Sequence, residues 1–171
     1  MDHSELRAQL EKHHGESYGW ALHCCSRDPN QAEDVLQTVY LKILEGKARF
    51  NGMAAFKTWL FAVIRKTAAN ERRWHILRRL RLTRYAESAE RIRYEESPDQ
   101  AVERSQIQEL FRRVFAALPK RQQEVLQLAF YHDLSLSEAA QVMGVSVGSA
   151  RVHYERAKER LRQCGEIQEF R

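Results

Sequence analysis

Apolar residues in this chain recur three and four positions apart and nowhere alternate strictly one for one, a pattern that suits helices and not strands. Glycine and proline, which interrupt helices, number only seven and three among 171 residues. The chain is therefore expected to be all-α. Its clearest stripe is Ala32, Val35, Leu36, Val39 and Ile43, on a helix that Asp28 and Pro29 would start and Gly46 would end. A second long helix, from about Met53 to Leu80, carries Phe56, Trp59, Leu60, Val63, Ile64 and Trp74. The first 27 residues are expected to form one shorter helix against these two.

Charge divides the chain. At 43% hydrophobic and 30% charged residues, the length suffices to bury a core as one domain or two small ones. The net charge of +5 favours a polyanionic partner, nucleic acid ahead of a membrane surface. Between Arg65 and Arg84 stand eight basic residues (Arg65, Lys66, Arg72, Arg73, Arg78, Arg79, Arg81, Arg84) against the single acid Glu71. Glu87, Glu90, Glu95, Glu96, Asp99 and Glu103 then outnumber Arg91 and Arg93, around "YEESPDQ". Residues 86–104 are accordingly expected to be an acidic, mobile linker between a domain at 1–85 and a second at 105–171. Helical spacing resumes at Ile107, Leu110, Phe111, Val114 and Phe115 and stops at Pro119, which suits the first turn of a helix from Lys120 to about Tyr131.

In "LSLSEAAQVMGVS", Ser135 and Glu138 form a capping box, and Leu136, Ala139, Ala140 and Met143 give a short helix one apolar stripe. Gly144 suits a left-handed C-cap. Ser146 can cap a following helix whose inward face is Ala150, Tyr154, Ala157 and Leu161. Two helices joined by a three-residue turn containing glycine have helix-turn-helix geometry. At about 100° per residue, Gly148, Ser149, Val152 and Arg156 lie opposite the buried stripe, flanked by Arg151 and Lys158 on one side and His153 and Arg160 on the other. Such a face either reads base edges and holds phosphates, or is the solvated side of a packed helix.

Other chemistries find no support. Cys24, Cys25 and Cys164 are odd in number, and no spacing among them and His3, His13, His14 and His23 matches a metal-ligand motif. Packed thiols and surface histidines are expected, with no metal and no cofactor. There is no phosphate-cradling glycine loop, no pair of carboxylates in an apolar setting and no nucleophile motif, so no enzyme is expected. No apolar run approaches the ~20 residues that span a bilayer, and Met1 opens a polar segment, so membrane insertion is not expected and the cytoplasm is the expected location.

At this point two stretches resemble a known family. "LPKRQQEVLQLAFYHDLSLSEAAQVMGVSVGSARVHYERAKERL" looks like region 4 of the extracytoplasmic-function (ECF) sigma factors of the sigma-70 family. "QAEDVLQTVYLKILEG" and "FKTWLFAVIRKTAANERR" look like their region 2, in the right order and covering nearly the whole chain. The resemblance implies a transcription initiation factor that binds core RNA polymerase, recognises minus-35 and minus-ten promoter elements and assists melting. It implies that region 2 meets the coiled coil of the largest catalytic subunit and region 4 the flap of its partner subunit. An anti-sigma factor as regulator is implied as well.

The resemblance assigns roles to residues. Glu33, Asp34, Gln37 and Leu41 share the face off the apolar stripe of their helix, where an acid, an amide and an exposed leucine suit a protein interface; Asp34 and Gln37 fall at the family's polymerase-contact positions, so this face is expected to bind core polymerase. Lys66, Asn70, Arg72, Arg73 and Trp74 take the minus-ten positions; Trp74 reads either as a base-stacking ring or as core. Ser146, Gly148, Ser149, Arg151, Val152, His153, Arg156 and Lys158 take the minus-35 positions. The chain departs from the family at Lys66, where Asn is usual, at Asn70, where Asp is common, and at Gly148–His153, where relatives tend to read G-T-V-K-S-R. Its promoter sequence is therefore expected to be its own. Two alternatives stand beside this reading: a free-standing helix-turn-helix regulator with an N-terminal sensing domain, and a metal or thiol sensor acting through Cys24 and Cys25.

Overall fold

A computed structural model of the chain describes residues 2–83 and 106–163. The described residues are helical throughout their regular structure, with no strand among them. The expected linker at 86–104, Cys164 and the C-terminal tail lie outside the described residues. None of the helices among the described residues is long and apolar enough to cross a membrane.

The first 27 residues form two helices rather than one. Helix α1 (His3–Lys12) starts at a capping box, with the Asp2 carboxylate accepting from the backbone of Ser4 and Glu5. At His13 the backbone leaves helical geometry, and α2 (His14–Cys24) begins anew, its first turn marked by the His13 Nδ1 and Glu16 contact at 3.1 Å and by Gly15. Next, α3 (Pro29–Leu44) has Asp28 as its N-cap and Pro29 at its first position, and it buries the Ala32, Val35, Leu36, Val39 and Ile43 stripe as expected. Gly46, at φ +70°, takes the left-handed conformation that follows the helix end. Helix α4 (Phe56–Thr83) starts three residues later than its spacing suggests.

The second half comprises α5 (Gln106–Ala117), α6 (Lys120–Leu126), α7 (Leu136–Met143) and α8 (Val147–Gln163). The helix expected from Lys120 to Tyr131 is regular only to Leu126 and finishes in a π-helical turn, Gln127–Tyr131. That widened turn leaves Phe130 and Tyr131 exposed while directing Leu128 and His132 inward.

Residues 2–83 and 106–163 share one core. Trp20 of α2 is fully buried, donates its Nε1 to the Phe61 carbonyl at 3.0 Å and stacks on the Phe61 ring. The same apolar cluster continues through Leu60 and Ile64 into Val125, Leu128, Leu134, Ala139, Val142 and Met143 of the second half. Truncating a buried ring of this kind costs about 3–5 kcal/mol, so this cluster is the principal tie between the halves. Polar groups close its edges. Lys57 pairs with Glu16 at 2.5 Å and donates to the His132 carbonyl at 2.8 Å, Thr58 donates to Glu138 at 3.2 Å, and Arg65 grips Glu124.

Candidate nucleic-acid interface

The helix-turn-helix forms as its local chemistry dictates. The Ser135 Oγ accepts from the Glu138 backbone at 3.3 Å, and the Glu138 carboxylate accepts from the Ser135 backbone at 3.0 Å. The Ser135 hydroxyl also donates to that carboxylate at 2.7 Å, and this bond, with those from the Ser135 backbone and Thr58, holds the Glu138 carboxyl below the usual carboxylate range. Gly144 ends α7 at φ +64°, and Val145 donates to the Ala140 carbonyl, the wider of the two bonds that close a helix on a left-handed residue. Arg121 covers the Met143 carbonyl at 3.1 Å. Ala150 and Ala157 are fully buried, and their small side chains let α8 seat closely on its neighbours.

Opposite that seat, Gly148, Ser149, Arg151, Val152 and Arg156 are all exposed, with Val152 at 47%. Arg151 and Arg156 carry no ion pair among the described residues. A Cβ added at Gly148 would meet only the Ser146 hydroxyl, at 3.9 Å. Nothing in the chain itself therefore requires glycine there, and the open space suits a partner that approaches the backbone closely.

Four of the expected minus-35 residues are otherwise engaged or half-buried. Ser146 accepts from the Ser149 backbone at 3.1 Å and shares a 2.9 Å hydroxyl contact with its side chain, so this pair caps the helix. Lys158 folds over the Tyr154 ring at 5.1 Å and pairs with Glu155 at 3.6 Å. His153 is half-buried. Gly148, Arg151, Val152 and Arg156 remain exposed and unengaged among the described residues.

On α4, helical spacing gathers Lys66, Asn70, Arg73 and Trp74 on one exposed face, which Leu77 extends. Trp74 is 68% exposed, so its ring is no part of the described core. Arg72 points elsewhere, donating to the Cys24 carbonyl at the end of α2. It thus stands apart from the other four residues of the expected minus-ten set. On α3, Glu33, Asp34, Gln37 and Leu41 share a single exposed face, with Leu41 at 58%. Charge pattern alone did not single out Ile76 and Leu77, each about half exposed beside Trp74. Their apolar exposure on a basic helix is the signal that locates them.

The Cys24 and Cys25 thiols are packed, as expected, but not all the histidines are at the surface. Burial pushes the Cys25 thiol up to about 11 and the Cys24 thiol higher still, which leaves neither a ready nucleophile or ligand at neutral pH. His23 is half-buried against Trp20, and His132 is 1% exposed. Among the described residues no three His, Cys, Asp or Glu side chains gather as metal ligands.

Comparison with known proteins places these surfaces in context. Residues 10–75 match the family described as Sigma-70 region 2, and residues 108–161 match Sigma-70, region 4. The ECF RNA polymerase sigma factor SigC of Mycobacterium tuberculosis is 30% identical over 145 residues, 83% of this chain and 74% of that protein. The RNA polymerase sigma-H factor of Pseudomonas aeruginosa is 28% identical over 144 residues, 78% of this chain and 72% of that one. In shape, the chain resembles the sigma factor RpoE of Bartonella quintana, solved with the anti-sigma factor NepR, at a TM-score of 0.66 and 20% identity over 96% of this chain and 98% of that one. CnrH, solved with the cytosolic domain of CnrY, gives a TM-score of 0.57 at 21% identity over 91% and 84%.

Proposed function

This chain belongs to the extracytoplasmic-function RNA polymerase sigma factors, and from that premise we propose how its surfaces divide the work of directing core polymerase to promoters. The exposed face of α8, centred on Gly148, Arg151, Val152 and Arg156, reads the minus-35 element in the major groove, Arg151 and Arg156 holding phosphate or base edges and Val152 meeting an apolar edge such as a thymine methyl. The α4 face of Lys66, Asn70, Arg73 and Trp74 engages the minus-ten element, Trp74 stacking on an unpaired base. Glu33, Asp34, Gln37 and Leu41 on α3 dock on core polymerase. Residues 1–85 and 105–171 act as the two working units.

The observation that carries this reading is the capped helix-turn-helix with an unpaired basic face, set beside a second exposed basic helix. Binding energy rather than chemistry performs the work: the chain acts as no enzyme, and it works in the cytoplasm. The free-standing regulator is not favoured, because paired region 2 and region 4 matches belong to initiation factors. The raised thiols speak against the thiol sensor.

The packed arrangement is not the one that spans a promoter. Elements centred about 25 base pairs apart lie ~85 Å from each other along the duplex. A compact chain of this length is about 40 Å across. The two halves therefore separate when both elements are engaged, and the packed form is the factor off its promoter. An anti-sigma factor that covers the polymerase-binding surfaces regulates it, as the complexes of similar shape suggest.

Run-off transcription with purified core polymerase on a genomic library tests the central claim. Specific start sites that require this chain are expected. A library that yields no such start sites refutes it.

A further inference from the structure

Where the halves meet, a cavity of about 260 Å³ opens that none of the surfaces above uses. Four cationic side chains line it, each from a different element: Arg27 from the turn between α2 and α3, Arg72 from α4, Arg112 from α5 and Lys120 from the start of α6. The lining holds one carboxylate, Glu124, and it is already engaged by Arg65 at 3.0 Å and Arg121 at 3.1 Å. Arg27 and Lys120 have no ion pair among the described residues.

The turn that supplies Arg27 is costly to form. Ser26 and Arg27 both take left-handed backbone, at φ +56° and +65°, without being glycine. Each such residue costs on the order of 1 kcal/mol, and strain of this kind gathers where a side chain must be aimed. Arg72 is aimed as well, its guanidinium held at the rim by the Cys24 carbonyl.

Cations collected around one partly enclosed space repel one another, and a multivalent anion in that space reverses the balance. Planar guanidinium forks beside an ammonium suit the tetrahedral oxygens of phosphate. The volume falls below the ~300 Å³ at which pockets for drug-sized molecules begin, which fits one or two phosphates rather than a large organic body.

We infer that this cavity binds a small phosphate-bearing anion of about the size and charge of pyrophosphate, and that the bound anion holds the two halves together. The lining is drawn from both halves, so the site exists only while they are packed. Whatever binds there stabilises the packed form by mass action and opposes separation on a promoter. That last consequence rests on the promoter-spanning reading above; the binding itself does not.

The test is titration of the free chain with sodium pyrophosphate, followed by thermal unfolding and small-angle X-ray scattering, against sodium chloride at matched ionic strength. Pyrophosphate is expected to raise Tm by several degrees with one-site saturation and to reduce the radius of gyration; sodium chloride is expected to do neither. The double substitution Arg27→Gln and Lys120→Gln should weaken the apparent affinity by about tenfold or more. Lys47→Gln with Arg162→Gln removes the same charge outside the cavity and should bind as the parent does. An equal response to sodium chloride, unchanged affinity in the cavity variant, or an equal loss in the surface variant overturns the inference. Binding of a DNA strand but not of pyrophosphate also overturns it, assigning the cations to a nucleic-acid backbone. The assay contains no polymerase, so its failure leaves promoter recognition standing, and failure of run-off transcription leaves a positive binding result intact.

Discussion

Arg65 on α4 and Glu124 on α6 form a two-point ion pair across the seam, 3.0 Å at Nε and 3.4 Å at Nη2. The side chains are 24% and 17% exposed, so water screens the pair only in part. Glu124→Gln keeps the shape and removes the charge, leaving Arg65 without its partner. It is expected to weaken the packing of the halves by about 1–2 kcal/mol, a charged hydrogen bond discounted for partial exposure. A larger radius of gyration in solution scattering, with the helical signal unchanged, is the expected result.

His132 makes the packing sensitive to pH. Its ring lies 4.8 Å from the Phe61 ring and 6.0 Å from that of Trp20, and neither nitrogen has a hydrogen-bond partner among the described residues. Burial, helped by the nearby Lys57 charge, pushes its pKa from 6.5 down to about 4; Glu16 and Asp133 act in the opposite direction without restoring it. A depressed histidine stabilises the packed form fully above about 6.5 and progressively less as the pH falls towards about 4. His23, also lowered by burial, has the same sign. His132→Phe removes two unsatisfied nitrogens and should raise the stability of the packed form by about 1 kcal/mol while flattening the acid limb. Urea unfolding at pH 5 and pH 7.5 measures both effects, and an unchanged acid limb would place the sensitivity at His23.

Gly148→Ala separates folding from recognition. The added methyl meets nothing in the chain closer than 3.9 Å, and alanine favours helix over glycine by up to about 1 kcal/mol. Thermal stability should hold or rise slightly while promoter affinity of the holoenzyme falls. Unchanged affinity would remove Gly148 from the reading face.

Arg151→Ala and Arg156→Ala should each weaken holoenzyme binding to the cognate promoter and leave core-polymerase binding intact. A residue that holds a phosphate lowers the salt slope by about 1, whereas one that reads a base costs about 1–3 kcal/mol and relaxes specificity at one position. Footprints across a salt series distinguish the two roles.

Trp74→Ala should hardly affect stability, within about 0.5 kcal/mol, because the ring is exposed. If the ring stacks on an unpaired base, open-complex stability falls by about 1–3 kcal/mol. Permanganate reactivity of promoter thymines measures this, and unaltered melting would assign the ring another partner.

What the sequence reveals is local. Ser135, Glu138 and Gly144 are legible because a cap needs only residues three to six positions apart, and the α3 stripe because burial on one side imposes a helical period. The seam leaves no such trace. Lys57 and His132 meet across 75 positions and Arg65 and Glu124 across 59, and no spacing rule reports pairs so distant. His132 lies in a polar-looking turn, "YHDLS", and its burial depends on Trp20 and Phe61 far upstream. Arg72 and Lys158 belong to basic runs, but the Cys24 carbonyl and the Tyr154 ring claim them, which charge counting does not detect.

The core shared between the halves also sets how any measured affinity is to be interpreted. If polymerase accepts only the separated form, the apparent Kd is the intrinsic one divided by the fraction of chains already apart. A chain apart about 1% of the time binds about a hundredfold more weakly than its contact surface allows. Substitutions around Trp20, Phe61 and His132, none of which need touch polymerase or DNA, thereby tune how readily promoters are occupied.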